Sequence, residues 1–336
     1  MATMQVMLMR APGGPEVLEA ARVPKPEPAG AHDLLVRVHA AGVNPVDTKL
    51  RKLHFYYPEH LPAILGCDGA GVVEKVGAEV GRFRPGDEVY FFNNGLGSAP
   101  GTYAEYTLVD EAYAAPKPKR LSMVEAAAIP LVLITAWEAL VDRIAIQPGE
   151  RTLIHGGAGG VGHLAVQLAR HRGAVVAATV STPEKAAFVR GLGAELAIDY
   201  RASDFVEETL RWTNGRGADA IFDTVGGAPF CRSFAALRLY GRIATLLSTA
   251  CELADVHRAR MRNICVGYVQ MTAPSYLGDD AARRAQTRIL ETAAPLFDRG
   301  ELAISVATVL PLGQAAEAHR MVEDGHTSGK VVRQIT

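Results

Sequence analysis

The sequence lacks the features that define several classes of protein. Its 336 residues carry 35 basic and 36 acidic side chains, so no surplus of positive charge indicates a nucleic acid or an anionic membrane as a partner. Every long apolar stretch is interrupted by glycine, proline or charge well before it reaches the length of a bilayer. The N-terminal residues show neither the apolar core nor the cleavage site of a secretory signal. These absences favour a soluble globular enzyme.

Cysteine is scarce, and its spacing excludes the common cysteine motifs. The four cysteines, Cys67, Cys231, Cys251 and Cys265, are widely separated and form no C-x-x-C pair. This usage favours a reducing cytosol rather than a disulfide scaffold. Together with the missing secretory signal, it predicts a cytoplasmic protein.

Glycine, by contrast, is concentrated at one place. Residues 151–172 consist of a short apolar run, a burst of glycines and then apolar residues at helical spacing. Gly157, Gly159 and Gly162 satisfy G-x-G-x-x-G between a predicted strand and a predicted helix, and Gly157 is expected to allow the tight turn out of the strand. Phosphates would lie at the positive end of that helix, so the turn is expected to bind a dinucleotide. Its predicted cofactor-binding residues are Gly157, Ala158, Gly159, Gly160, Val161 and Gly162.

The next apolar run decides which dinucleotide is favoured. Residues 174–180 are predicted to form the second parallel strand, and no acid stands at its end, where NAD-selective sites usually carry Asp or Glu. Thr182 is predicted to cap the next helix. Lys185 follows in the first turn of that helix, where a cation is misplaced unless an anion lies nearby. A 2′-phosphate would be that anion, so we expect NADP(H), contacted by Lys185, Ser181 and Tyr200. The alternative is that Lys185 is simply a solvated lysine.

The order of predicted elements indicates two domains. Residues 1–125 are rich in proline, glycine and β-branched residues with closely spaced turns, which predicts a mostly antiparallel domain. In residues 126–272, which begin after a capping box at Ser122 and Glu125, strands alternate with helices as in a doubly wound parallel sheet. The tail, 273–336, for which a strand is predicted at 302–309, is too short for a separate domain and is expected to complete the first. The strands of the parallel sheet are predicted at 152–154, 174–180, 196–198, 220–223, 242–246 and 264–269.

Six motifs, in this order, resemble those of the medium-chain dehydrogenase/reductase superfamily, and within it the zinc-independent quinone oxidoreductase (zeta-crystallin-like) branch. They are AGVNPVD at 41–47, GCDGAGVV at 66–73, RPGDEV at 84–89, ITAWEAL at 134–140, DTVGG at 223–227 and GKVV at 329–332. The resemblance covers essentially the whole chain. It implies an α/β protein with a Rossmann-type NADP(H)-binding domain and a GroES-like, β-rich catalytic domain.

The resemblance also implies roles for single residues. Asn44 and Thr135 would lie beside the nicotinamide, although either could be an ordinary loop or helix residue. Tyr56 could hydrogen-bond a substrate carbonyl, but Lys49 stands where relatives commonly have a tyrosine, and packing in a surface loop is an equal alternative. The remaining predicted cofactor-binding residues are Val225, Leu246, Ser248 and Lys330.

The same motifs argue against a catalytic zinc. Zinc-dependent relatives bind the metal through Cys at the position of Asn44, His at that of Cys67 and a third ligand near Leu131 or Val132. Here these positions hold an amide, a lone thiol and an aliphatic chain, which cannot supply the three protein ligands of a catalytic site. Without a Lewis acid, reduction of a quinone or conjugated carbonyl is easier than alcohol oxidation, because the acceptor is already electrophilic. We therefore expect an NADPH-dependent reductase without metal.

Two alternatives stay open, and one assembly is expected. The protein could reduce enones or acrylate-type alkenes, or it could be a non-catalytic relative that binds NADPH for a structural or regulatory purpose.

The last predicted strand, near 263–269, would leave an open apolar edge, which a two-fold dimer removes by pairing two such edges. We expect a homodimer through this edge and a small-molecule quinone or enone substrate, with neither nucleic acid nor membrane as a partner.

Overall fold

The computed structural model describes residues 2–53, 56–57, 59–93, 95–96, 99–325 and 327–335. The chain forms two compact units. The first unit comprises Met1–Leu131, Thr272–Gly300 and Ile304–Thr336, and the second unit comprises Val132–Met271 and Glu301–Ala303. Within the described ranges, no helix combines the length and the apolar character needed to cross a membrane.

The secondary structure follows the chain in this order. The strands are β1 (Thr3–Met9), β2 (Leu18–Pro24), β3 (Asp33–Val43), β4 (Asp68–Val76), β5 (Glu88–Phe92), β6 (Tyr106–Asp110), β7 (Ala114–Pro116), β8 (Arg151–Ile154), β9 (Val175–Val180), β10 (Leu196–Asp199), β11 (Ala218–Asp223), β12 (Leu237–Thr245), β13 (Cys265–Tyr268), β14 (Val306–Pro311) and β15 (Lys330–Gln334). The α-helices are α1 (Pro45–Leu53), α2 (Met123–Ala127), α3 (Pro130–Trp137), α4 (Gly162–His171), α5 (Pro183–Gly191), α6 (Phe205–Trp212), α7 (Gly227–Ala236), α8 (Leu253–Met261), α9 (Ala273–Leu277), α10 (Asp280–Asp298) and α11 (Ala315–Asp324). A π-helical segment, Glu138–Arg143, continues α3, and short 3₁₀ turns occur at Pro15–Val17, Glu111–Tyr113 and Leu312–Gln314.

The second unit contains a six-stranded parallel sheet in the order β10-β9-β8-β11-β12-β13. Counted along the chain, this is the order 3-2-1-4-5-6 of dinucleotide-binding folds. Both faces of the sheet are covered, since Ile154 and Phe222 pack in one apolar core and Leu153 and Ile221 in another. The strand order changes direction between β8 and β11, so their carboxyl ends flank the crevice where such sheets bind ligands. The predicted doubly wound sheet is confirmed.

The first unit is built around a seven-stranded sheet in the order β14-β15-β3-β4-β5-β7, with β6 also paired to β3. A separate pair joins β1 to β2. All of these pairings are antiparallel except that of β14 with β15. Because β15 lies between β14 and β3, the last strand completes the sheet that the N-terminal residues begin. The predicted mostly antiparallel, GroES-like architecture is confirmed.

Two of the four cysteines form a disulfide, which the cysteine spacing did not predict. Cys231 on α7 is bonded to Cys251, which follows β12. The interpretation of all four as cysteines of a reduced protein is therefore wrong for this pair. The 19 residues between them contain the whole of β12, so the bond joins α7 to the loop that follows this strand. Cys67 is a buried thiol and Cys265 an exposed one.

Candidate functional site

The glycine-rich turn that leads from β8 into α4 is shaped by close contacts. Gly156 has φ of 66°, so it turns the chain out of the strand, a role expected for Gly157. A Cβ on Gly157 would lie 2.6 Å from that of Ala178 in β9, and a Cβ on Gly162 would lie 2.1 Å from the carbonyl oxygen of Gly156. These two glycines let the turn lie against β9 and against the start of α4. A Cβ on Gly159 would meet only that same carbonyl oxygen, at 3.3 Å, so local packing alone does not demand glycine there.

The turn presents backbone to an incoming ligand. Gly159, Gly160 and Val161 are half-buried, and they precede the first residue of the ten-residue helix α4. The unpaired N–H groups at a helix N-terminus carry partial positive charge and attract anions. The turn therefore has the chemistry of a phosphate site, and the assignment of residues 157–162 to the cofactor stays a prediction.

The residues predicted to choose the cofactor lie at the carboxyl ends of β9 and β10. The N–H of Tyr200 donates to the carbonyl oxygen of Val180 at 3.1 Å, which places Tyr200 beside Ser181. The hydroxyl of Thr182 caps α5 by accepting from the N–H of Lys185 at 3.2 Å. Ser181 and Lys185 are half-buried and Tyr200 is exposed. The end of β9 is thus neutral, and the following helical turn carries Lys185 beside the exposed Glu184.

The loops after β11 and β12 are joined at the same edge. The buried carboxylate of Asp223 accepts from the hydroxyl of Thr245 at 2.7 Å and from the N–H of Val225 at 3.1 Å. The predicted cofactor residues Val225, Leu246 and Ser248 lie on these loops and are at least partly exposed. The strands β9, β8, β11 and β12 are consecutive in the parallel sheet, so their carboxyl ends share one edge. The predicted contacts of the second unit lie along this edge.

Three polar side chains, Asn44, Asp68 and Lys330, are buried together in the first unit. The amide nitrogen of Asn44 donates to Asp68 Oδ2 at 2.9 Å, while Lys330 Nζ donates to the amide oxygen of Asn44. Lys330 Nζ also donates to the carbonyl oxygen of Val43 at 3.1 Å and lies 3.7 Å from Asp68 Oδ2. The N–H of Leu131 donates to Asp68 Oδ1 at 2.8 Å. The lysine charge is therefore balanced by Asp68, directly and through Asn44.

This donor set does not fit a catalytic zinc. The amide oxygen of Asn44 already accepts from an ammonium group, whose charge opposes a metal cation at the same place. The thiol of Cys67 donates to Asp47 Oδ1 at 3.5 Å, and burial raises the pKa of that thiol well above its usual value. A zinc ligand must be a thiolate, so both observations disfavour a metal here. Across the described part of the chain, no three His, Cys, Asp or Glu side chains are grouped to hold a metal ion.

Asp47 connects the start of α1 to this buried cluster. Its Oδ2 accepts from the N–H of Asn44 at 2.8 Å, as the acid of a helix N-terminus does, and from the hydroxyl of Tyr103 at 3.3 Å. Tyr103 is in turn hydrogen-bonded to His319 across 3.1 Å. Burial, aided by the charge of Asp68, raises the pKa of Asp47 from 3.8 to about 7. The hydrogen bond from the N–H of Asn44 stabilises the carboxylate and opposes this rise. The pattern N-x-x-D therefore has a local structural reason as well as its predicted place beside the nicotinamide.

Asp47→Asn is expected to change how stability depends on pH. Between its usual pKa of 3.8 and about 7, the folded protein keeps a proton on Asp47 that the unfolded chain releases. The protonated group therefore favours the fold at low pH, and this contribution is lost as the pH rises through about 7. In urea titrations, the free energy of unfolding of the wild type should fall relative to that of the variant by about 1.4 kcal/mol per pH unit in this window.

The two most strongly shifted buried histidines do not disturb this comparison. Burial lowers the pKa of His155 to about 4 and that of His319 to about 3, and both histidines titrate in the wild type and in the variant alike. Their effect cancels when the two pH profiles are subtracted. A difference that stays constant from about pH 5 to about pH 8 would show that Asp47 is ionised in the folded protein.

The two other predicted catalytic residues lie in different parts of the chain. Thr135 is buried on α3. The hydroxyl of Tyr56 is 2.7 Å from Thr272 Oγ1, and its ring centroid is 4.6 Å from that of Tyr276 on α9. Sequence reasoning missed Thr272 and Tyr276, since no motif or periodicity links them to a residue more than two hundred positions earlier. The catalytic roles of Asn44, Thr135 and Tyr56 stay predictions.

Comparison with known proteins shows which family has this arrangement. Residues 30–119 match the model of the alcohol dehydrogenase GroES-like domain, and residues 192–332 match that of zinc-binding dehydrogenases. Quinone oxidoreductase 1 of Escherichia coli is 32% identical over 319 residues, covering 94% of this chain and 95% of that protein. The chain belongs to the medium-chain dehydrogenase/reductase superfamily. It falls in the quinone oxidoreductase-like branch and is an oxidoreductase.

Further relatives show the range of cofactors and substrates around this chain. The crystal structure of an NAD-dependent alcohol dehydrogenase superposes with a TM-score of 0.91 at 36% identity, covering 99% of this chain and 100% of that one. The structure of mycobacterial Rv1454c complexed with NADPH gives 0.84 at 28% identity, covering 98% and 100%. The 2-methylene-furan-3-one reductase of Solanum lycopersicum is 42% identical over 199 residues, which is 57% of this chain and 50% of that protein. The family uses nicotinamide dinucleotides of both kinds.

Proposed function

We propose that this protein is a zinc-independent reductase that uses NADPH to reduce quinones or other conjugated carbonyl compounds. The observation that carries the proposal is the buried network of Lys330, Asn44 and Asp68. The amide of Asn44, bonded to the ammonium of Lys330, stands where zinc-dependent relatives carry one metal ligand. The protonated thiol of Cys67 stands at the position of a second metal ligand. An alcohol would lack a Lewis acid to stabilise its alkoxide, whereas a quinone or enone delocalises the incoming charge by itself.

The protein's own task is then to bind, orient and exclude water. We assign the dinucleotide to the second unit, with residues 157–162 at the phosphates and Lys185, Ser181 and Tyr200 at a 2′-phosphate. Val225, Leu246 and Ser248 would contact the rest of the cofactor. The first unit would supply Asn44, held rigidly by Lys330, and Tyr56 near the acceptor. The bound cofactor supplies the hydride, and the protein gains rate by fixing its position relative to the acceptor.

The test is oxidation of NADPH by the purified protein with a panel of quinones and a panel of enones. Assays run with and without a strong chelator, beside elemental analysis for zinc. We expect turnover of quinones that chelator leaves unchanged, and no stoichiometric zinc. One tightly held zinc per chain, with activity lost on its removal, would contradict the metal-independent mechanism.

Two other outcomes identify the alternatives. Faster turnover of enones than of quinones would favour an alkene reductase, which the similarity to the tomato reductase supports. Tight NADPH binding without oxidation by any acceptor in either panel would favour a non-catalytic, structural or regulatory relative. The two panels therefore separate the three functions in one set of measurements.

Lys185→Ala is expected to weaken NADPH binding selectively. A hydrogen bond to a charged group contributes about 1.5–3 kcal/mol, and each tenfold change in affinity corresponds to roughly 1.4 kcal/mol, so the loss should be about ten- to a hundredfold. NADH carries no 2′-phosphate, so its affinity should change little. Isothermal titration of each cofactor measures the difference.

Arg190→Ala is the matched control for this test. Arg190 is an exposed cation in the last turn of the same helix, α5, about five residues further from the strand end. Its removal should leave both affinities close to those of the wild type. Equal losses of NADPH and NADH affinity in Lys185→Ala, or a wild type that prefers NADH, would show that the end of β9 has been misinterpreted.

We further propose a homodimer through the open edge of β13, where Cys265 and Tyr268 are exposed. The N–H of Val269 donates to the carbonyl oxygen of Thr245 in β12 at 3.0 Å. Successive N–H groups along a strand point to opposite sides, so the N–H of Tyr268 points away from β12. Tyr268→Pro removes this donor and is expected to give monomers, while Tyr268→Phe should keep the dimer. Light scattering at micromolar concentration distinguishes them, and a monomeric wild type would refute the proposal.

We also propose a cytoplasmic location, which the low cysteine content favours. In that compartment thiols are kept reduced, and the disulfides that do form there are usually transient, catalytic or redox-sensing. The bond between Cys231 and Cys251 therefore calls for a function of its own.

A further inference from the structure

The disulfide between Cys231 and Cys251 has no part in hydride transfer, yet it lies beside the proposed cofactor loops. Cys231 is buried on α7, the helix that begins directly after Val225 and Gly226. Cys251 is half-buried at the end of the loop that leaves β12 and carries Leu246 and Ser248. The bond therefore joins α7, which follows the loop after β11, to the end of the loop after β12.

The loop between β12 and α8 is otherwise held by hydrogen bonds. At its start, Thr245 donates to Asp223 at 2.7 Å. In its middle, Thr249 accepts from the N–H of Gly227 at 2.9 Å, at the first residue of α7. Its end is fixed by the covalent bond from Cys251 to Cys231. Ser248 is exposed and lies between the hydrogen bonds of Thr245 and Thr249, three residues before Cys251. The covalent bond therefore restrains Ser248 from the far side of Thr249.

We propose that Cys231 and Cys251 form a redox modification site that sets the affinity of the second unit for its dinucleotide. A protein or small-molecule dithiol is the reductant: its thiolate attacks one sulfur of the bond and forms a mixed disulfide, which its second thiol resolves. Two electrons and two protons pass to Cys231 and Cys251, which become thiols, and the dithiol becomes a disulfide. The residue Cys251 is half-buried whereas Cys231 is buried, so we assign the attack to the sulfur of Cys251.

Reduction would weaken binding by releasing the end of the loop. A loop fixed in its binding conformation loses little entropy when the ligand arrives, whereas a released loop must be ordered again. The apparent dissociation constant equals that of the competent conformation divided by the fraction of time that the loop spends in it. If the released loop is competent about one tenth of the time, the dissociation constant rises about tenfold.

The experiment titrates NADPH into the oxidised protein and into protein reduced with dithiothreitol, by calorimetry. Alkylation followed by mass spectrometry of the denatured protein counts the thiols, with two of the four cysteines expected to react before reduction and all four after it. Cys251→Ser removes the bond and should bind NADPH about as weakly as the reduced wild type, with no response to dithiothreitol. Cys265→Ser removes an exposed thiol outside the bond and should keep the response.

This inference rests on the proposed cofactor site, and the outcomes separate the two. A rise of about tenfold in the dissociation constant on reduction, absent in Cys251→Ser, supports it. Equal affinities of the oxidised and reduced wild type, both folded by circular dichroism, overturn the inference and leave the proposed function intact. Absence of NADPH binding in both states overturns the cofactor assignment itself. Should Cys251→Ser fail to fold, the oxidised and reduced wild type still decide the matter.

Discussion

Lys330→Met is expected to lower the free energy of unfolding by about 3–5 kcal/mol, the cost of breaking a buried ion pair by removing one partner. Methionine fills a similar volume but leaves the carboxylate of Asp68 buried, with its cation gone. It also removes the donor to the amide oxygen of Asn44 and to the carbonyl oxygen of Val43. Asp68 can recover part of the loss by taking up a proton, so the destabilisation should shrink as the pH falls. Urea titration at several pH values measures both effects.

A second substitution tests whether the pair itself is responsible. In Lys330→Met with Asp68→Asn, the amide of Asn44 is free to turn over and accept from the new amide, so the buried groups find partners again. The double variant should recover at least about 1 kcal/mol of the loss. Lys117→Met is the matched control: Lys117 is also buried, but its partner Glu88 is more than half exposed and stays solvated. A comparable loss in Lys117→Met, or no recovery in the double variant, would mean that the ion pair is not the cause.

Gly162→Ala is expected to abolish the stabilisation that NADPH gives the protein. The new Cβ would lie 2.1 Å from the carbonyl oxygen of Gly156, a backbone atom that cannot move without reshaping the turn. Overpacking of this kind typically costs 1–3 kcal/mol, and here it also displaces the N–H groups proposed to hold the phosphates. A ligand at roughly a hundred times its dissociation constant stabilises the wild type by about 2.7 kcal/mol, a gain that thermal unfolding detects easily.

Two other glycines complete this series. Gly159→Ala brings its Cβ only to 3.3 Å from the same oxygen, so it should fold normally and weaken NADPH binding by obstructing the ligand. Gly191→Ala places a methyl group where no atom lies within 4 Å, and it should leave binding unchanged. If Gly162→Ala bound NADPH like Gly191→Ala, residues 156–162 would not be the phosphate turn.

The parallel sheet was predictable because its strands are apolar runs between turns. The predicted strands at 152–154 and 196–198 lie within one residue of β8 and β10. β12 was predicted at 242–246, but the strand begins at Leu237. The prediction missed this first half because the half is irregular: Tyr240 has φ of 57°, and the pairing with β11 shifts register between Leu237 and Arg242. Leu239 and Tyr240 are also exposed, unlike the residues of a buried parallel strand.

Other signals were local and therefore visible. The capping box of Ser122 and Glu125 is confirmed at the start of α2, and Thr182 caps α5 as its sequence predicts. The strand expected over 302–309 was misplaced, because Leu302 is buried in the second unit while β14 starts at Val306 and alternates between half-buried and exposed residues.

The parts of the site that could not be predicted join distant segments. Lys330 was named as a cofactor residue by resemblance, but its bond to Asn44 spans 286 residues, and no local pattern reports such a contact. The same holds for Tyr56 with Tyr276, and for the disulfide. Periodicity and turn chemistry act over a few residues, whereas these pairings are fixed only when the sheets have formed.

The position of β15 in the first unit has a consequence for how the chain acquires its structure. The second unit is almost continuous in sequence, so it can fold as soon as the ribosome has released residue 271. The sheet of the first unit must wait for β15, since Lys330 meets Val43 across 287 residues. Until then residues 40–43 of β3 keep an unpaired edge, because β6 covers only residues 33–37. Pairing them with β15 requires closing a loop that contains the whole second unit. Deletion of residues 330–334 would remove an interior strand rather than a tail, and the nascent first unit would stay open to aggregation along β3.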